Sequence, residues 1–118
     1  MMGEVIDAMR KDGRYEYVKQ WRLAMQRTFS NFYDMHDIRP LGADACEFLD
    51  YFHGGEVAYM RIFSKIADDA GAALGKSIAR TRLLQLSATN QGKLTVANNA
   101  IGVAFRDQLR RFNGACDS

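Results

Sequence analysis

Asp50-x-x-His53-x-x-Glu56 sets two carboxylates and an imidazole at intervals of three. On an unbroken helix that spacing roughly aligns oxygen and nitrogen donors for a metal ion. Gly54-Gly55 falls inside the motif, and a glycine pair is expected to end a helix and separate Glu56 from the other two. His36 is the chain's other histidine, so a dedicated metal site is not expected. His53 should cap a turn or face solvent. His36, flanked by Asp34 and Asp37, should titrate at a helix end with a slightly stabilised charge.

A second chemical motif is Ala70-Gly-Ala-Ala-Leu-Gly-Lys-Ser77, which fits a relaxed phosphate-loop pattern with alanine where the strict pattern has glycine. A working loop of that kind follows a buried β-strand, and its backbone N–H groups curl around phosphate before a helix starts at the Lys-Ser pair. Residues 63–69 read as helix instead, and no apolar run ending in aspartate follows to hold magnesium. A chain of 118 residues also leaves no room for the parallel sheet that carries such loops. The string is therefore expected to be helix surface. Ala67, Gly71, Gly75 and Ala79, spaced by four, would form a flat helix-packing strip on it. Each glycine inside a helix costs about 1 kcal/mol relative to alanine, so two of them imply a close neighbour. A second helix of the same chain is the leading candidate, followed by a helix crossing at a homodimer interface and by a break in the helix.

Nothing else in the sequence suggests catalysis. There is no G-x-S-x-G, no H-E-x-x-H and no Cys-x-x-Cys, and Cys46 lies beside Glu47, whose charge disfavours a thiolate. No enzyme activity and no cofactor are expected.

Charge is distributed unevenly. Residues 28–69 hold eight carboxylates (Asp34, Asp37, Asp44, Glu47, Asp50, Glu56, Asp68, Asp69) against Arg39, Arg61 and Lys65, a net of −5. Residues 70–106 hold no carboxylate and carry Lys76, Arg80, Arg82, Lys93 and Arg106, a net of +5, although the whole chain is only +2. Such asymmetry orients an acidic partner or a second copy of the chain, unless the two halves pair within the fold. The five basic residues are accordingly the candidate partner-binding set.

The elements that must position these groups are helical. One proline, few β-branched residues and abundant Ala, Leu, Met, Arg and Gln favour helix, and no useful segment alternates with period two. Breakers divide the chain into helices over about 4–11, 14–37, 44–53, 56–86 and 95–112. Val18, Trp21, Met25, Thr28, Phe32 and Met35 supply the stripe of the second, and Asp44 with Glu47 has capping-box spacing at the start of the third. In the fourth, Arg61, Lys65, Asp69, Ala72, Lys76 and Arg80 share one polar arc while the rest of the girth is apolar or small, which places that helix centrally. Residues 87–93 read as a polar turn. Ala97, Ile101, Phe105, Leu109 and Phe112 mark the last stripe.

The expected fold is a single all-α domain over 1–118, a bundle of four to five helices around a long central helix at about 56–86. Eleven of the thirteen aromatic residues lie between Tyr15 and Phe63, so the core is expected to form by docking large side chains of the first half on alanine and glycine of the second. An exposed aromatic groove for a partner helix is the alternative. Residues 94–105 are too short and too polar to span a bilayer, and Glu4 and Asp7 interrupt the apolar start. A cytoplasmic protein with two free thiols is expected.

These features point to a small non-enzymatic interaction protein, a regulator, adaptor or inhibitor, that docks on a protein partner and self-associates as a homodimer. Nucleic acid is the competing partner, since Gln91, Asn98 and Asn99 are residue types that read adenine edges. The turn of about seven residues is longer than that of a helix-turn-helix, and Lys93 is the one basic residue near the start of the last helix.

Overall fold

The computed structural model describes residues 1–71, 76 and 78–96. Among them are helices α1 (Gly3–Lys11), α2 (Tyr15–Thr28), α3 (Glu56–Ala70) and α4 (Arg80–Thr89), with 3₁₀ turns at Arg39–Leu41 and Ala45–Glu47. The described residues contain no strand, only one isolated antiparallel bridge between Phe48 and Gly54. The all-α expectation holds at this level. In α1, Glu4 occupies the first turn and Arg10 and Lys11 the last, matching the helix dipole. The chain then turns at Gly13, whose φ of 72° suits glycine.

α2 stops at Thr28 instead of running to Asp37. Phe29 is extended, with φ −120° and ψ 118°, and it opens the run Phe29-Ser-Asn-Phe-Tyr33, residue types that support a helix poorly. Residues 29–38 fold back as a strap. Phe32 meets Trp21, Asp34 meets Arg22, and His36 meets Tyr15, so alternate strap residues each reach back to α2.

The expected helix over 44–53 is also absent. Asp44 caps as its type predicts, its Oδ1 accepting from the Cys46 N–H at 2.8 Å, but only a single 3₁₀ turn follows. Glu47 does not complete a capping box, because its side chain turns inward. Asp50 then accepts from the N–H groups of Phe52 and His53, both at 2.7 Å, and this side-chain-capped turn competes with helix.

The long central helix is broken. α3 ends at Ala70, and Gly71 adopts φ 57° and ψ −139°, a conformation open to glycine and costly for other residues. Asp68 pairs with Arg80 across the break, so the chain reverses and α4 packs back on α3. The buried positions are Val57, Ala58, Ser64 and Ala67 on α3 and Ser87 on α4. The strip therefore does not exist as one helix side. Ala67 is buried, a Cβ at Gly71 would meet open space, Ala79 is exposed ahead of α4, and Gly75 lies outside the described residues.

The main core joins Met2, Ile38, Phe48 and Ala58, with Val5, Met35, Leu41, Ala43, Ala45 and Ile62 packed around it. Among the described residues it lies between residues 2 and 62; much of the small-residue half on which the large side chains were expected to dock lies outside the described residues. The segment after α4 contributes separately. Leu94 is buried against Gly55, and the Val96 N–H donates to Glu56 Oε2 at 2.8 Å. The expected helix over 95–112 falls almost wholly outside the described residues.

Cys46 is disulfide-bonded, which corrects the free-thiol reading; the chain's second cysteine, Cys116, lies outside the described residues. A disulfide is the ordinary state of oxidising compartments, so the expectation of a reducing one loses its support. None of the described helices is long and apolar enough to cross a membrane.

Candidate functional site

One buried edge sets the rotation of α2. Tyr15 is buried, and its hydroxyl accepts from Arg22 Nη1 at 2.7 Å. Seven residues apart, the two share a face of the helix. Arg22 also pairs with Asp34 of the strap, and the Arg10 guanidinium lies 4.7 Å from the centre of the Tyr15 ring. The opposite side of α2 has no such partners among the described residues. Tyr17, two residues and roughly 200° further round, is 76% exposed, and Trp21, one turn on, is 51% exposed with Phe32 edge-on at 6.3 Å.

A second aromatic area covers the start of α3. Tyr59 and Phe63 lie one turn apart with ring centres 6.5 Å from each other, and both are exposed. The neighbouring turn adds exposed Tyr51 and Phe52, and a Cβ at Gly54 would stand 3.9 Å from the Tyr59 ring. With Phe29, these are the side chains that a large-against-small core was expected to absorb.

A buried ion pair lies beneath the surface of α3. The Glu47 side chain is fully buried and that of Arg61 only 10% exposed. Arg61 Nε and Nη2 donate to the two carboxylate oxygens, each at 2.8 Å, and Nη1 donates to the Leu41 carbonyl at 3.1 Å. The Gly92 N–H donates to Glu47 Oε1 at 3.2 Å. The pair thus ties both 3₁₀ turns, α3 and the segment after α4 together. Arg61 belongs to the interior, not to a polar outer arc. No local pattern in the sequence foretells this pairing, because the two residues are fourteen apart on different elements.

His36 differs from the expectation in sign. Its pKa is lowered, first by desolvation, then by Arg22 and the chain's amino group, and Asp34 and Asp37 only partly offset this. Its Nε2 is buried and meets no hydrogen-bond partner among the described residues.

The basic residues do not form one bare cluster. Arg80 is paired with Asp68 from the acidic half. Lys76 and Arg82 are exposed, exposed Lys93 donates to Asn90 Oδ1 at 3.4 Å, and Arg106 lies outside the described residues. The Asp50, His53 and Glu56 motif is divided among local tasks. His53 is exposed with Nδ1 2.7 Å from Asp50 Oδ2, while Glu56 holds the Val96 N–H. His53 and two backbone N–H groups hold the Asp50 carboxyl down to about 2. No group of three potential metal ligands occurs among the described residues. Helix, not strand, precedes the Ala70–Ser77 string, whose residues 72–75 and 77 lie outside the described ones. A hollow of about 240 Å³ beside Ile38 and Phe48, edged by Glu4, Arg39 and Asp44, falls below the usual size of a small-molecule site.

No protein-family model, no curated protein and no solved structure matches this chain.

Proposed function

We propose that this chain is a small, non-enzymatic helical interaction protein, a regulator, adaptor or inhibitor, that docks on a protein partner through its outward aromatic side chains. The carrying observation is the outer face of α2, where Tyr17 and Trp21 stand one turn apart in solvent while Tyr15 and Arg22 hold the opposite edge. Tyr and Trp dominate binding hot spots because they bury large area with few rotors to freeze, and contiguous exposed apolar surface is unusual on a protein without a partner. Tyr59 and Phe63 offer a second anchor of the same kind. Lys76, Arg82 and Lys93, all exposed, are the charges we assign to steering encounter, while Arg80 is already paired with Asp68 and Arg106 lies outside the described residues. A second copy of the chain is an admissible partner, giving a homodimer.

Nucleic acid is the less favoured partner, because the Asp68 carboxylate already neutralises Arg80. Titration of a fluorescent duplex at about 50 mM salt separates the two readings. We expect binding weaker than micromolar and without sequence preference. Nanomolar, sequence-dependent binding lost on changing Lys76, Arg80 and Arg82 would replace the protein partner with nucleic acid.

A further inference from the structure

We propose that His36 is a proton-operated latch on α2: protonation of its imidazole releases α2, with Tyr17 and Trp21, from the 29–38 strap. This concerns how α2 is held and stands whether or not the aromatic face meets a partner.

The latch is defined by what packs around the ring. From α2, Tyr15 places its ring 5.6 Å from that of His36, and Arg22 bonds both the Tyr15 hydroxyl and Asp34. From α1, Arg10 covers Tyr15. From the strap come Asp34 and Asp37, and from the start of the chain the Met1 amino group, 3.5 Å from the His36 carbonyl oxygen. The carboxylates are already engaged. Asp34 takes Arg22 and the His36 N–H, and Asp37 takes the Arg39 guanidinium. A proton added to the buried Nε2 would create an N–H donor with no acceptor among the described residues. It would also place a third positive charge beside Arg22 and the Met1 amino group.

Two independent features make α2 the element that yields. Tyr15 is its one buried residue, and among the described helices α1 is its main neighbour. Elements with few buried contacts open first. The linkage sign follows from the lowered pKa. Docked α2 takes up the proton less readily than released α2, so docking is fully supported above the ordinary histidine value of about 6.5 and weakens as pH falls below it.

Hydrogen exchange on the intact chain at pH 7 and pH 5.5, corrected for the intrinsic pH dependence of exchange, tests the latch. Expected is a loss of protection in α2 that α3 does not share. Unchanged protection in α2, or a loss common to both helices, would overturn it. Emission from Trp21, the chain's one tryptophan, should report the same transition; it should persist in His53→Gln and vanish in His36→Phe. Loss in His53→Gln, or persistence in His36→Phe, would overturn the assignment to His36. Should His36→Phe fail to fold, the titration of the two imidazole signals by NMR decides. A His36 midpoint below about 6.5 supports the latch, and one at or above it refutes it.

Discussion

Replacing Arg61 with methionine removes the partner of a carboxylate that has no access to water. Glu47 would lose two charge-assisted bonds of 2.8 Å, and the Leu41 carbonyl would lose its 3.1 Å donor. Among the described residues, only the Gly92 N–H, at 3.2 Å, would remain on the carboxylate. Charge-assisted bonds contribute about 1.5–3 kcal/mol each, and breaking one side of a buried pair costs about 3–5 kcal/mol once relaxation and entering water recover part of the loss. That is a large share of the roughly 5–15 kcal/mol available to a domain. In urea unfolding followed by circular dichroism, an m-value of about 2 kcal/mol/M turns the loss into a midpoint lowered by about 2 M. The double variant Glu47→Leu/Arg61→Met buries no charge and should recover at least half of the loss. A midpoint for Arg61→Met within about 0.3 M of the parent would refute the reasoning, as would strict additivity in the double variant.

Gly55→Ala should cost about 1–3 kcal/mol in the same assay, because its Cβ would overlap the Leu94 carbonyl and stand 2.5 Å from Leu94 Cδ1; a neutral result would mean that Leu94 does not seat there. Phe48→Ala should cost about 3–5 kcal/mol, while Tyr17→Ala stays within about 0.5 kcal/mol, and comparable losses would show that Tyr17 is core. Asp37, Asp50 and Asp68 have lowered pKa values through Arg39, His53 and Arg80, so the unfolded chain takes up protons first; stability should fall between about pH 4 and pH 2, and a flat acid limb would contradict those contacts. Dithiothreitol should lower the melting temperature and make two thiols reactive to iodoacetamide where untreated protein shows none; reactive thiols before reduction would contradict the disulfide at Cys46.

Helix content was legible wherever local rules act alone. α1 followed from its charges and from Asp12-Gly13, and the Gly54-Gly55 break set the start of α3. Reading failed where a tertiary contact outbids local preference. The heptad-like stripe through Phe32 and Met35 resembles helix, but Asp34 is worth more to Arg22 as part of a returning strap. Asp44 and Glu47 have the spacing of a capping box, yet Arg61 captures Glu47. Glycine within an apolar pattern signals close approach and chain reversal alike, and only its positive φ marks Gly71 as the second. The aromatic residues were found as a set, but exposure was not legible. Which face of α2 is buried depends on Tyr15, Arg22 and His36 meeting across the strap, a long-range arrangement with no periodic signature.

The most direct test of partner docking places a photo-crosslinking benzoylphenylalanine at Tyr17 of the otherwise intact chain, with the same group at Gln26 on the opposite side of α2 as control. The position 17 probe, irradiated in the source cell, should give a discrete protein adduct, a second copy of the chain included, while the position 26 probe gives none and Trp21→Ala weakens the adduct. A nucleic-acid adduct, equal labelling from both positions, or no adduct from position 17 would contradict the account.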